Sequence, residues 1–270
     1  MSIFPSGRSV VRALLLACLL LGWAASSGAT VVLDWDAVTW NPGDLTNSYD
    51  VTGDGLTDVT VKITSQQANI WALDPTSGSQ APVVNQTLTG GLLPAENSLM
   101  LAANLKTHSD ATVQLNFTGG QYGANNVSFT IFDIDVTTNS DIISGIYGVA
   151  LDGTHIAATL SDVGSTVTVT GSGLTYVLEG NGPAGDTTSN GNVTLSFGST
   201  IITDIFFTFS NTAGAPRYQD IGIGDISFTP VPEINPAAMA AGSCLLAFGL
   251  TIFARRQAKL RGIRLPAAQS

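Results

Sequence analysis

Between residues 30 and 229 the chain is a succession of short runs in which apolar and polar positions alternate or β-branched residues cluster, each closed by Gly, Asn, Asp, Ser or Pro. A period of two marks a strand with one buried face, and the closing residues are those that turn a chain. The pattern predicts strands at 31–39, 58–64, 111–117, 126–136, 148–151, 166–171, 174–179, 192–197, 203–209 and 221–229, and no amphipathic helix of three turns. About ten strands over roughly 200 residues fit one all-β domain, a two-layer β-sandwich of jelly-roll type. The less regular stretch 66–106 reads as a long loop or one short helix.

Some runs also indicate their buried face. Val127, Phe129 and Ile131 fall on every second position with Ser128 and Thr130 between them, and continuing that phase lands on Asp133 and Asp135. Two carboxylates on a core-facing phase are costly unless paired or bound to a cation, so either they meet such a partner or the strand bulges by Phe132 and releases them to water. The continuous run Ile205, Phe206, Phe207 and Phe209 predicts a central strand, and Gly222 and Gly224 predict a bulge or a close backbone approach.

The two ends follow another pattern. Arg8 and Arg12, the apolar run Ala13 to Trp23 and the small residues up to Ala29 have the layout of a secretory signal peptide over residues 1–29, with cleavage by signal peptidase after Ala29. The sequence around Cys18 faintly suggests a lipobox, but the apolar run continues past it. At the other end, residues 237–254 are uncharged and long enough for one transmembrane helix, and Arg255, Arg256, Lys259, Arg261 and Arg264 follow at once. Such cations hold their end of the span in the cytoplasm, which places the β-domain of residues 30–229 outside the inner membrane.

Charge follows the same division. All twenty acidic residues, all but three of them Asp, lie between Asp34 and Glu233, where Lys62, Lys106 and Arg217 are the only cations, giving that stretch a formal charge of −17. A domain this acidic argues against nucleic acid and anionic lipid as partners. Cys18 and Cys244 both lie in the terminal segments, which leaves the domain without a disulfide or a thiol nucleophile.

The segment Asp50 to Asp58 carries the most chemistry. Side-chain oxygens at Asp50, Thr52, Asp54 and Asp58, the carbonyl of Leu56 and a turn at Gly55 match positions 1, 3, 5, 9, 7 and 6 of a calcium loop, although Val61 stands where a bidentate Glu belongs. Calcium held there, or a solvated Asp-Gly hairpin without an ion, are the two readings. Asp34 and Asp225 form a second candidate pair, because in jelly-roll carbohydrate-binding modules the first and last strands often share a calcium. Trp35, Trp40, Trp71, Tyr49, Tyr122 and Tyr218 are candidates for a sugar-stacking platform or, taken singly, core residues. His108 and His155 stand in no catalytic motif, and no enzyme is expected.

Val231, Pro232, Glu233 and Ile234, followed by the apolar span and the Arg-rich end that begins at Arg255 and Arg256, resemble the PEP-CTERM sorting domain over residues 230–264, with the motif at 231–236 and the basic tail at 255–264. Pro232 and Glu233 map onto the first two positions of its Pro-Glu-Pro motif, while Ile234 departs from the third. The resemblance implies recognition by a membrane exosortase, cleavage near the motif, and delivery to the surface or extracellular matrix of a Gram-negative bacterium that makes exopolysaccharide. The stretches Leu33 to Asp36, Phe132 to Asp135 and Tyr218 to Phe228 resemble the variable β-domains such proteins carry. These features lead to the expectation of a non-enzymatic surface protein associated with exopolysaccharide, against the alternatives of a purely structural coat protein and a secreted hydrolase.

Overall fold

A computed structural model of the chain describes residues 28–65, 71–105, 110–118, 121–136, 138–212 and 217–232. Most of the expected signal peptide, and Glu233, Ile234, Arg255, Arg256 and the expected membrane helix 237–254, lie outside the described residues. Among the described residues no helix is long and apolar enough to cross a membrane. The only helical turn described is a short 3-10 turn at Gly173–Thr175.

The fold is all-β. Its strands are β1 (Val31–Leu33), β2 (Thr46–Tyr49), β3 (Val59–Ser65), β4 (Val83–Asn85), β5 (Ser98–Leu105), β6 (Ala111–Asn116), β7 (Gln121–Phe132) and β8 (Asp141–Ala150). They continue with β9 (His155–Ile156), β10 (Thr159–Ser161), β11 (Val167–Thr170), β12 (Val177–Gly180), β13 (Val193–Ser196), β14 (Ile202–Asn211), β15 (Arg217–Ile223) and β16 (Ile226–Pro232).

Hydrogen-bonded neighbours link all of them into one curled antiparallel sheet. One half runs β2-β3-β6-β14-β8-β12-β11. In the other, β13 and β10 lie on one side of β7, while β15 and β16 lie end to end on its other side. β15 leads on to β5 and β4, and β16 to β1. Ile202 of β14 pairs with Ala124 of β7 where the halves meet. The inward faces then close over one core, in which the rings of Phe129 and Phe207 lie 6.0 Å apart and those of Phe117 and Phe228 5.3 Å.

Consecutive long strands alternate between the halves, giving the orders β5-β15-β7-β13 and β6-β14-β8-β12. Both partners of every strand pair, and the core they enclose, lie within residues 28–232, and the compact unit ends at Pro232. A segment that owns its core and its pairing partners can fold alone.

The buried phase of β7 is as expected, with Val127, Phe129 and Ile131 inside. The strand ends at Phe132 because Asp133 takes a left-handed backbone, φ 64°, a conformation Asp tolerates better than most residues. Several expectations are corrected: the strand expected at 126–136 stops at Phe132, the one at 174–179 opens as the 3-10 turn and pairs only from Val177, and the one at 148–151 is the end of the longer β8. The first strand stops at Leu33 rather than 39, since the Trp35 N–H turns away to Asp225 Oδ1. The strand expected at 221–229 is two strands, broken at Gly224 and Asp225. In the stretch 66–106 the described residues hold β4 and β5 and no helix, with Leu99, Leu101 and Ala103 on the main core and Met100 and Ala102 on a satellite core with Leu88 and Val83.

Candidate functional site

Strand alternation leaves the hydroxyls of Ser128 and Thr130 on β7, Thr194 on β13 and Ser227 on β16 facing outward. Register brings them together, because Thr130 pairs with Thr194, and Ser128 with Ser227. Thr130 Oγ1 and Thr194 Oγ1 are 2.9 Å apart, and Ser227 Oγ donates to the Ser128 carbonyl at 3.2 Å. These four side chains floor an open groove of about 760 Å³.

Four loops wall it, at 90–92, 162–165, 189–192 and 224–225. Asn192 Nδ2 donates to the Gly90 carbonyl at 2.9 Å and ties two walls together. Phe132 sits at one end, where a Cβ at Gly90 would approach its ring to 2.4 Å and one at Gly224 to 2.7 Å. Glycine at both places is therefore a packing requirement, and Gly224 fulfils the expected close approach while sitting in the break between β15 and β16. The lining contains no Lys or Arg but does contain Asp162 and Asp225. Burial, then the neighbouring charges of Asp34 and Asp36, push the Asp225 carboxyl up against the opposing effect of the Trp35 N–H it accepts.

The residues picked out in the sequence are dispersed over the domain. Asp50, Thr52, Asp54, Leu56 and Asp58 form the exposed tip of the β2–β3 hairpin, with only Asp58 buried. The Asp50 carboxylate accepts the N–H groups of Gly53 and Gly55 at 2.7 Å and of Asp54 at 3.1 Å, and Asp54 Oδ1 accepts that of Leu56 at 2.8 Å. Asp58 Oδ2 accepts those of Val51 and Thr52, both at 2.7 Å. Among the described residues no group of three or more His, Cys, Asp or Glu is placed to hold a metal ion.

Asp34 and Asp225 are neighbours across Trp35, whose ring nitrogen donates to the Gly224 carbonyl at 3.0 Å. Ala29 precedes β1, and Val231 and Pro232 form the end of β16, beyond its pairing with β1 and in a stretch where the register to β7 shifts. Proline is tolerated at such places because no ladder donor is required of it. Of the six aromatics, Trp35, Trp40 and Tyr49 are core residues packed edge to face, at 6.4 and 6.1 Å from Trp35. Trp71 packs on the main core and Tyr218 on the satellite core, leaving Tyr122 as the exposed one. An aromatic row that the sequence reading missed lies on the other half of the sheet. Tyr147 stacks against His155 at 4.3 Å and Phe206 at 5.2 Å, so its ring faces are already occupied.

A second acidic region lies under the groove wall. Asp133, Asp135, Asp141 and Asp220 come from the end of β7, the start of β8 and the middle of β15. The first three are buried. Asp141 Oδ1 accepts Gln219 Nε2 at 2.8 Å and Asp141 Oδ2 the Asp135 N–H at 3.3 Å. Asp135 Oδ2 accepts the Ala184 N–H at 3.0 Å and Asp220 Oδ2 the Tyr218 hydroxyl at 3.2 Å. Asp133 Oδ1 is buried without a hydrogen-bond partner. Burial, reinforced by Asp135, Asp220 and Asp186, pushes the Asp133 carboxyl up to about 8. Burial, with Asp186, Asp135 and Asp74, pushes Asp220 up to about 7 despite the Tyr218 hydroxyl. Asp135 and Asp141 are also raised by burial. Asp133 and Asp135 were legible from the strand phase and Asp220 as an acid beside the last strand; Asp141 was not, and only the fold brings β8 and β15 to the end of β7.

No family model matches the chain, and no curated protein matches it. Among solved structures it is similar to a family 11 carbohydrate-binding module from Clostridium thermocellum in complex with a β-1,3-1,4-mixed-linked tetrasaccharide, at TM-score 0.31 and 12% identity over 77% of this chain and 99% of that one. It is also similar to the family 11 module of the cellulosomal cellulase Lic26A-Cel5E of Clostridium thermocellum, at TM-score 0.30 and 11% identity over 77% and 98%. Likenesses this distant establish no common ligand.

Proposed function

We propose that the chain is an exported, non-enzymatic surface or extracellular-matrix protein whose β-domain, of jelly-roll type, holds a neutral polysaccharide in the groove over β7, β13 and β16. The observation that carries this reading is the groove itself, a floor of four hydroxyls between loops that add the hydroxyl of Ser189 and the amide of Asn190. Its size falls in the range of small-ligand sites, roughly 300–1,000 Å³. Hydroxyls and amides offer the paired donors and acceptors that sugar hydroxyls need. The preference for neutral sugar follows from charge, since a lining with two Asp and no cation repels uronate or sulfate. The strongly raised groups, on Asp133, Asp141, Tyr218 and Asp220, are not among the lining residues, which favours binding over hydrolysis. The strand orders β5-β15-β7-β13 and β6-β14-β8-β12 support the jelly-roll description.

Residues 28–232 applied to a glycan array should retain neutral β-glucans or related polysaccharides without releasing sugar, and Thr130→Trp, which fills the floor, should weaken retention at least about tenfold. Retention unchanged by Thr130→Trp would remove the groove from the proposal, an empty array would favour a structural coat protein, and released sugar a hydrolase. Export belongs to the same proposal, with the signal peptide removed after Ala29 and an exosortase acting at the 231–236 motif of a protein held in the inner membrane by 237–254. The pair Pro232→Ala and Glu233→Ala should leave full-length protein in that membrane, and normal release of the double variant would refute the sorting step.

A further inference from the structure

The loop 181–192 supplies Ser189, Asn190 and Asn192 to the groove, and it is held from beneath by the segment that follows β7. The Ile134 N–H donates to the Gly191 carbonyl at 2.8 Å, the Val136 N–H to the Gly182 carbonyl at 3.1 Å, and the Ala184 N–H to Asp135 Oδ2 at 3.0 Å. The contact is tight, because a Cβ at Gly191 would stand 2.9 Å from the Ile134 nitrogen and 3.0 Å from the Asp133 Cα. On the far side of the loop the Thr89 N–H donates to the Asp186 carbonyl at 3.0 Å.

The groups that face this contact are almost all acidic. Asp133 and Asp135 come from the segment after β7, Asp141 from β8, Asp220 and Tyr218 from β15, Asp186 from the loop itself and Asp74 from the segment before β4. No described Lys or Arg side chain is among the charges that act on them. Asp133 is 8% exposed and its Oδ1 has no donor, while Gln219, 5% exposed beside Asp141, has an unpartnered Oε1. Buried carboxylates without donors or counter-charges are far less stable than the neutral acids.

We infer that the carboxyls of Asp133 and Asp220 form a protonation-dependent latch on the 181–192 loop, closed when they carry protons and released when they ionise. Releasing the protons sets charge on Asp133 and Asp220 against Asp186, an exposed residue of the loop, and the repulsion falls on a segment that both walls the groove and rests on the cluster. The raised folded-state values fix the direction. An unfolded Asp titrates near 4, so the stabilising contribution is complete below about pH 4 and is lost as pH rises through about 7 to 8, where Asp220 and Asp133 ionise. The latch concerns the groove proposed above as a glycan site, but its operation is read from the loop and needs no ligand.

Hydrogen exchange of residues 28–232 in EGTA, corrected for intrinsic rates and referenced to β14, tests this at about pH 5 and about pH 8.5. The expected result is that protection across 181–192 falls at least about fivefold more than that of β14 at the higher pH. In Asp133→Asn with Asp220→Asn, which keeps the side-chain shapes and removes two ionisations, the two segments should keep their ratio. Loop protection that tracks β14 at both pH values in the wild type overturns the latch, as does a pH response that survives in the double variant. If the double variant fails to fold, Asp133→Asn alone carries the comparison. A groove that binds no glycan leaves this readout intact, so failure of the glycan reading and failure of the latch are distinguishable.

Discussion

The chain uses Asp in two opposite ways, at the β2–β3 hairpin and under the groove wall. At the hairpin tip, Asp50, Asp54 and Asp58 point their oxygens at the loop's own backbone and collect six N–H groups within nine residues. Under the wall, Asp133, Asp135, Asp141 and Asp220 are gathered from two strands and the segment after β7, share few donors, and are displaced towards the neutral acid. Carboxylates close in sequence find donors nearby and close a turn, whereas carboxylates brought together by the fold meet each other. Density of Asp along the chain is therefore a poor guide to where its electrostatic strain lies.

The largest effect that would break this contrast belongs to Asp141. Asp141→Ala leaves the Asp135 N–H without its acceptor and Gln219 Nε2 with only the Asn139 carbonyl, at 3.4 Å, and should cost roughly 3 kcal/mol, about 6–12 °C in the unfolding midpoint. Asp141→Asn, which keeps an oxygen, should cost about 1 kcal/mol or less. Equal losses in calorimetry would show that charge, not hydrogen-bond satisfaction, governs the cluster. Next in size, Asp58→Ala removes the acceptor of the Val51 and Thr52 N–H groups and should cost about 2 kcal/mol, read as a lowered denaturant midpoint with unchanged slope. A loss below about 0.5 kcal/mol would mean that the hairpin does not rely on its carboxylates. The smallest effect concerns calcium. An ion at Asp50, Asp54 and Asp58 has to displace N–H groups that already hold the loop shut, so exchanging EGTA for calcium chloride should move the midpoint by less than about 2 °C. A rise of several degrees, abolished by Asp50→Asn, would establish the hairpin as a calcium site.

Much of the fold was legible where one face of a strand meets the core. The β7 phase of Val127, Phe129 and Ile131 and the run from Ile205 to Phe209 in β14 were both read correctly, because period-two alternation and dense β-branched or aromatic residues have few other uses. β5 was not legible. Its residues Ser98 to Leu105 are buried on both faces but for Asn104, which erases the alternation, and Leu, Met and Ala give no strand preference. The groove was visible only as the outward phase of Ser128 and Thr130; nothing local announces that Thr194 and Ser227 will lie beside them or that four loops will rise around the floor. Of the two readings open for the tryptophans, core placement holds for Trp35 and Trp40, since Trp35 is worth more under the sheet, donating to the Gly224 carbonyl, than on its surface.

The pairing of the first strand with the last also sets a timetable. β1 waits for β16, with Val31 opposite Phe228 and Thr30 Oγ1 3.2 Å from Thr229 Oγ1, and β5 and one side of β7 wait for β15. A chain made from its N-terminus gathers these partners only when nearly all of the domain has been synthesised, and such long-range closures are the slow steps of β-protein folding. Until residue 232 is available the central strand of one half stays unpartnered along one edge. The nascent polypeptide thus remains open for most of its synthesis, and its final strand is the trigger that lets the domain close.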